Sequence, residues 1–220
     1  MAHIILLGDS IFDNAAYVPD DLPVIDLLKN VLPQGDQATL LAVDGDSIQE
    51  IDSQIQRLPK DASHLFISVG GNDALQYGSI LVQSTPSSPK MLDAIATMKA
   101  EFNRNYEQML DAVLSLDKPT VLCTIYDQCP LLDPAMGLLE FTALSMFNDC
   151  ITRQAVQAGL PLIDLRVICN EVTDYSTVSP IEPSMAGGQK IARAIATVMT
   201  EHNFSERRTV VYGSARSSEI

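Results

Sequence analysis

Three short clusters of small and polar residues each follow an apolar run, and together they hold the residue types that acyl transfer needs. Gly8-Asp9-Ser10 follows His3 to Leu7, Asp44-Gly45-Asp46-Ser47 follows Thr39 to Val43, and Gly70-Gly71-Asn72-Asp73 follows Leu65 to Val69. A serine hydroxyl at a strand end can attack a carbonyl when a base takes its proton. Backbone N–H groups and an asparagine amide can hold the oxyanion that develops. Each cluster also has a plainer meaning: Gly-Asp-Ser caps a helix, Asp-Gly makes a turn, and Gly-Gly-Asn-Asp turns a strand into a helix. Their recurrence after three different apolar runs favours chemistry.

The elements that must position these clusters are legible in the hydrophobic pattern. The three runs above are expected strands, joined by a fourth at Thr120 to Ile125 and a fifth at Leu160 to Leu165. The first is an uninterrupted apolar run, the type buried on both faces of a parallel sheet. Helical patterns lie between them, at Leu22 to Leu32, Ser47 to Leu58, Met91 to Leu116, Ala135 to Ala158 and Met185 to His202. In the long third helix Leu92, Ile95, Met98, Phe102, Tyr106, Met109, Leu110 and Val113 recur at three- and four-residue steps, as core positions do. This rhythm predicts an α/β domain with a parallel sheet covered on both faces. Ligands of such sheets bind beyond the carboxyl ends of the strands, where all three clusters stand. Residues 1–204 are expected to form one domain, with Gln83 to Pro89 a surface loop and 205–220 a partly flexible tail.

Composition narrows the partners. The 220 residues carry a formal net charge of −14, which opposes nucleic acid and anionic membrane surfaces. No stretch approaches the roughly 18 apolar residues of a membrane span. The N-terminus lacks the basic region of a signal peptide, so a cytoplasmic location is expected. Cys123, Cys129, Cys150 and Cys169 show no paired spacing for zinc, and buried reduced thiols are expected. No metal is called for.

At these clusters the chain resembles a known family. Gly8-Asp9-Ser10-Ile11-Phe12-Asp13-Asn14 is similar to the first block of the SGNH hydrolases, also called GDSL esterases and lipases. Gly45 stands where the second-block glycine stands, and Gly70-Gly71-Asn72-Asp73 is similar to the third block. Ile181-Glu182-Pro183-Ser184, near the C-terminus, stands at the fourth landmark. The resemblance implies a three-layer α/β/α sandwich around a flavodoxin-like, five-stranded parallel sheet. It implies Ser10 as nucleophile and the Ser10 N–H, the Gly45 N–H and the Asn72 side chain as oxyanion hole. It implies no cofactor.

One block departs from the family. The usual Asp-x-x-His-Pro becomes Ser179-Pro180-Ile181-Glu182-Pro183, so both members of the orienting aspartate and histidine pair are replaced. His3 begins the first strand and His64 precedes the third, both expected at the amino end of the sheet opposite Ser10, and His202 lies at the far end of the last helix. Glu182 is therefore the candidate base, with burial and the repulsion of Asp13, Asp46 and Asp73 raising its pKa. Asp9, Asp13, Asp73 and Ser179 are candidate supporting residues. The expected activity is hydrolysis of a small-molecule ester of a small acyl group through a Ser10 acyl-enzyme. The alternative is a catalytically impaired member of the fold that binds a ligand on the same rim. A nucleotide-binding role ranks below both, because no glycine-rich phosphate loop is present.

Overall fold

The first apolar run forms a strand whose successive side chains point to opposite faces, as the pleat requires. In a computed structural model that describes residues 1–82, 88–127 and 134–213, β1 is His3–Gly8. Ile4 and Leu6 enter one buried cluster, and Ile5 and Leu7 enter another on the opposite face. The first cluster is closed by α1 (Val24–Val31) and α7 (Met185–Glu201), through Val24, Leu27, Leu28, Ile191, Ile195 and Val198. The second is closed by α2 (Ile51–Ile55), α4 (Ser88–Leu114) and α5 (Pro134–Ala158), through Ile51, Phe102, Tyr106, Val113, Phe147 and Ile151. The protein is therefore a three-layer α/β/α sandwich.

The sheet has six described strands in the order β2-β1-β3-β4-β5-β6, every neighbouring pair parallel. Besides β1 these are β2 (Gln37–Leu40), β3 (His64–Ser68), β4 (Thr120–Cys123), β5 (Leu162–Ile163) and β6 (Val211–Tyr212). The count is six, not five. The extra strand is two residues long and lies in the segment expected as a tail. It joins the edge where Leu162 N–H and Asp164 N–H donate to the carbonyls of Val210 and Tyr212, at 2.9 and 2.8 Å.

Other differences are local. β2 ends at Leu40, because the next two amides, of Leu41 and Ala42, both turn to the Leu6 carbonyl. A helix not expected from the pattern, α3 (Gly71–Val82), begins inside the Gly70–Asp73 cluster, and a single turn, α6 (Leu165–Ile168), follows β5. Leu92 is exposed and not in the core, since the first turns of α4 outrun the buried face that begins at Met98. Cys123, Cys150 and Cys169 are buried free thiols, whereas Cys129 and residues 83–87 of the expected loop lie outside the described residues. Among the described residues no helix is long and apolar enough to cross a membrane.

Strand order reverses between β1 and β3, which is where a sheet of this kind leaves a crevice at its carboxyl edge. Ser10 follows β1 and Asn72 follows β3, so the two clusters flank that point.

Candidate active site

The turn after β1 is forced by a close backbone approach. Asp9 N–H donates to the Ser68 carbonyl at 3.1 Å, and Gly8 has φ +134°. A Cβ at Gly8 would lie 1.8 Å from the Ser68 oxygen, so only glycine fits. The Asp9 carboxylate accepts the Ile11 N–H at 3.1 Å, and the Asp9 carbonyl accepts those of Phe12 and Asp13. This leaves Ser10 at the apex, with its own N–H unpartnered among the described residues. Gln54 of α2 locks the end of the strand from the side. Its Oε1 accepts the Gly8 N–H at 2.8 Å, while Nε2 donates to the Gly8 carbonyl at 2.7 Å and to Asp46 Oδ2 at 2.8 Å.

That last bond reaches the second cluster. Gly45 has φ +85°, a conformation that disfavours other residues, and the space where its Cβ would stand is open. Its N–H is also unpartnered among the described residues. Asp13 Oδ2 accepts the Asp44 N–H at 3.0 Å, and Tyr17 donates its hydroxyl to Asp44 Oδ2 at 2.9 Å. The third cluster ties in through Asn72, whose Nδ2 donates to the Asp46 carbonyl at 2.9 Å. Asp73 Oδ2 accepts the Ile48 N–H at 3.1 Å. A primary amide has two N–H groups, so Asn72 retains one for a ligand.

Glu182 comes to Ser10 from the far end of the chain, on a loop held at many points. The Ser176 N–H donates to the Glu182 carbonyl at 2.9 Å, and the Glu182 N–H to the Ser179 carbonyl at 3.3 Å. Tyr126 donates its hydroxyl to the Ile181 carbonyl, and Asn14 Nδ2 donates to the Pro183 carbonyl at 2.9 Å. The result is a buried pair: Ser10 Oγ donates to Glu182 Oε1 at 3.4 Å. Glu182 is only 4% exposed, and its Oε2 has no hydrogen-bond partner.

Electrostatics make the pair unusual. Burial, helped by the charge of Asp44, raises the Glu182 pKa above the ordinary carboxylate range, while the Ser179 and Ser10 hydroxyls work against the rise. Asp9 is pushed up to about 7 by burial, with Asp73 and Glu182 adding repulsion. Burial raises Asp73 too, against the pull of the Ile48 N–H. The carboxylate acting on Glu182 is thus Asp44, which the sequence had not singled out. Asp13 serves instead to brace the Asp44–Gly45 turn.

The histidines stand elsewhere. His3 Nε2 pairs with Thr39 Oγ1 at 2.8 Å, and the rings of His64 and His202 pack against Phe204. Gln54, Tyr17 and Tyr126 are site residues outside the sequence motifs, and Asn14 and Asp44 lie within motifs that gave them no role. Gln54 had a signal: it sits with Ile51, Ile55 and Leu58 at helical spacing, a polar residue on an apolar face.

Comparison with known proteins bears on the family and the fold. The family model described as the GDSL-like lipase/acylhydrolase family matches residues 6–190. An extracellular lipase from Streptomyces rimosus is similar in structure, with 15% identity, a TM-score of 0.66 and coverage of 92% of this chain and 100% of that one. A phospholipase A1 from Streptomyces albidoflavus shows 16% identity, a TM-score of 0.62 and coverage of 92% and 99%. The acetylxylan esterase Axe2 from Geobacillus stearothermophilus shows 18% identity, a TM-score of 0.57 and coverage of 92% and 95%. No curated protein matches in sequence.

Proposed function

Because the chain belongs to the GDSL-like lipase/acylhydrolase family, we propose that it hydrolyses a small-molecule ester through Ser10, with Glu182 as general base in place of histidine. The observation that carries this reading is the buried hydrogen bond from Ser10 Oγ to Glu182 Oε1. In the first half-reaction Ser10 Oγ bonds to the ester carbonyl carbon and its proton passes to Glu182. The carbonyl oxygen, now an oxyanion, takes hydrogen bonds from the Ser10 N–H, the Gly45 N–H and the second N–H of Asn72. The C–O bond to the leaving alcohol then breaks, and Glu182 returns the proton to that alcohol. In the second half Glu182 takes a proton from water, which attacks the acyl-serine, and then gives it back to Ser10 as the acid leaves.

A raised pKa suits the role, since a carboxylate of ordinary pKa is a weak base for a serine hydroxyl. One observation favours the alternative, a ligand-binding site with little turnover: at 3.4 Å the Ser10–Glu182 bond is long. Such bonds commonly tighten only when substrate is bound.

The experiment is hydrolysis of p-nitrophenyl acetate with labelling by a fluorophosphonate. The parent is expected to turn over and to carry one label, on Ser10. Ser10→Ala is expected to lose label and activity, and Glu182→Gln, which keeps size and polarity, is expected to lose most activity. Parent-level rates in Glu182→Gln would remove Glu182 as base, and absence of label would remove covalent catalysis.

A further inference from the structure

The carboxylates around Ser10 lie without a basic partner, as do many of the exposed ones elsewhere. Among the described residues Asp26, Asp149, Asp164, Glu171 and Asp174 are paired with lysine or arginine. No such pair engages Asp13, Asp44 or Glu182. These three nevertheless converge: Asp13 braces the Asp44 backbone, Asp44 accepts the Tyr17 hydroxyl, and Tyr17 feels the charge of all three. Glu182 adds a second observation. Its Oε2 is buried and has no partner, and a buried carboxylate oxygen left so is costly unless a ligand meets it.

We propose that this mouth holds a cationic organic group, so that the preferred substrate is an ester bearing an ammonium on its acyl or alcohol part. The arrangement favours an organic cation over a metal ion. A metal would need several oxygens at about 2.0–2.6 Å. Among the described residues no three acidic, histidine or cysteine side chains are grouped to hold one. An ammonium needs only negative charge at contact distance, and it gains further from an aromatic ring such as that of Tyr17. The claim names the substrate class for the Ser10 chemistry above and rests on it for the word ester, but not for the cation.

A bound cation would also act on the base. The groups that face Glu182 are Ser10, Ser179, Asp44, Asp9, Tyr17 and Tyr126, all uncharged or negative. A positive charge among them favours ionised Glu182, so the base is charged when substrate is in place. With a cationic ester the rising limb of kcat should then lie at lower pH than that of kcat/KM. With a neutral ester the two limbs should stay together.

Two measurements on the full chain test the inference. The first is calorimetric binding of the ketone analogue of acetylcholine, against the same ketone with carbon in place of nitrogen. The cationic ketone is expected to bind about tenfold or more tightly at low salt, the preference shrinking as salt rises. Asp44→Asn should reduce that preference. Equal binding of the two ketones by the parent protein overturns the proposal, whatever any variant does. The second is turnover of acetylcholine against 3,3-dimethylbutyl acetate, its neutral isostere. Turnover of both without preference for the cation overturns the cation site and leaves Ser10 catalysis intact. Cation-selective binding with turnover of neither ester, nor of p-nitrophenyl acetate, supports the cation site and ends the hydrolase reading.

Discussion

Glutamate and histidine differ as bases in the sign of what they leave behind. A histidine that takes the serine proton becomes a cation beside the oxyanion and stabilises it. In the proposed mechanism Glu182 becomes neutral and offers no such charge, so a larger share of transition-state stabilisation falls on the hydrogen-bond donors. Asn72→Ala should therefore lower kcat for a short-chain ester by about 10²–10³, the range for loss of one such donor. A thermal melt should move little, since Asn72 is only partly buried and makes one described bond, to the Asp46 carbonyl. A variant that unfolds would instead mark Asn72 as a turn residue. On the same proposal Glu182 sets the acid limb of the pH profile. Glu182 must be ionised, its pKa is raised by burial, and activity should rise with pH above the usual glutamate value of about 4.3. A limb at or below that value would show that some other group is titrating.

The elements place these residues by contacts that a local pattern does not contain. Ser10, Gly45 and Asn72 were legible because each sits within a few residues of a strand end, so strand, turn and motif are one signal. Glu182 was legible only as a departure from the last block. Its contact with Ser10 spans 172 positions, and the hydrogen bonds that hold its loop come from Asn14 and Tyr126 in other layers. β6 escaped notice because two residues carry no periodicity, and α3 because its first turn coincides with the glycine pair of the motif. Gln54 shows the physical stake. It is fully buried and satisfies both backbone groups of Gly8 while reaching Asp46, so one side chain joins α2, β1 and the Gly45 turn. Gln54→Leu keeps the volume but leaves the Gly8 N–H buried without a partner and the Gly8 carbonyl with the Val43 N–H alone. A buried group left unpaired costs about 1–3 kcal/mol, so a fall in unfolding free energy of about that size in urea is expected. Activity should fall as well in the fraction that remains folded, because both the nucleophile turn and the Gly45 turn lose their anchor. A stable, fully active Gln54→Leu would show that the strand end holds its shape unaided.

At the scale of the whole molecule the question is what a site crowded with carboxylates does to stability. The chain has 28 acidic residues against 14 basic ones, yet it buries Asp9 behind the nucleophile and raises its pKa to about 7. The sign follows from proton binding. Between the ordinary value of 3.8 and about 7 the folded state holds a proton on Asp9 that the unfolded state releases. Below that window Asp9 is protonated in both states and costs nothing, and as pH rises through it the folded state is progressively penalised. The full penalty above pH 7 is about 4 kcal/mol at most, from three pKa units at 1.36 kcal/mol each. His64 and His202 act in the opposite direction, because burial lowers both: they are neutral in both states at neutral pH and penalise the folded state as pH falls below about 6.5. The parent's stability curve between pH 4 and 7 therefore mixes opposing slopes, and its shape alone identifies neither. A difference curve does. Asp9→Asn keeps an oxygen to accept the Ile11 N–H and removes the titration, while leaving both histidines in place. Urea unfolding at a series of pH values should find the variant and parent similar near pH 4. The variant should become more stable by a few kcal/mol near pH 8, with the change centred between the two pKa values. A constant difference across that range would mean that Asp9 stays ionised in its turn. Its carboxylate would then be held more strongly than by the backbone N–H groups of Ile11 and Asp9 that the fold provides.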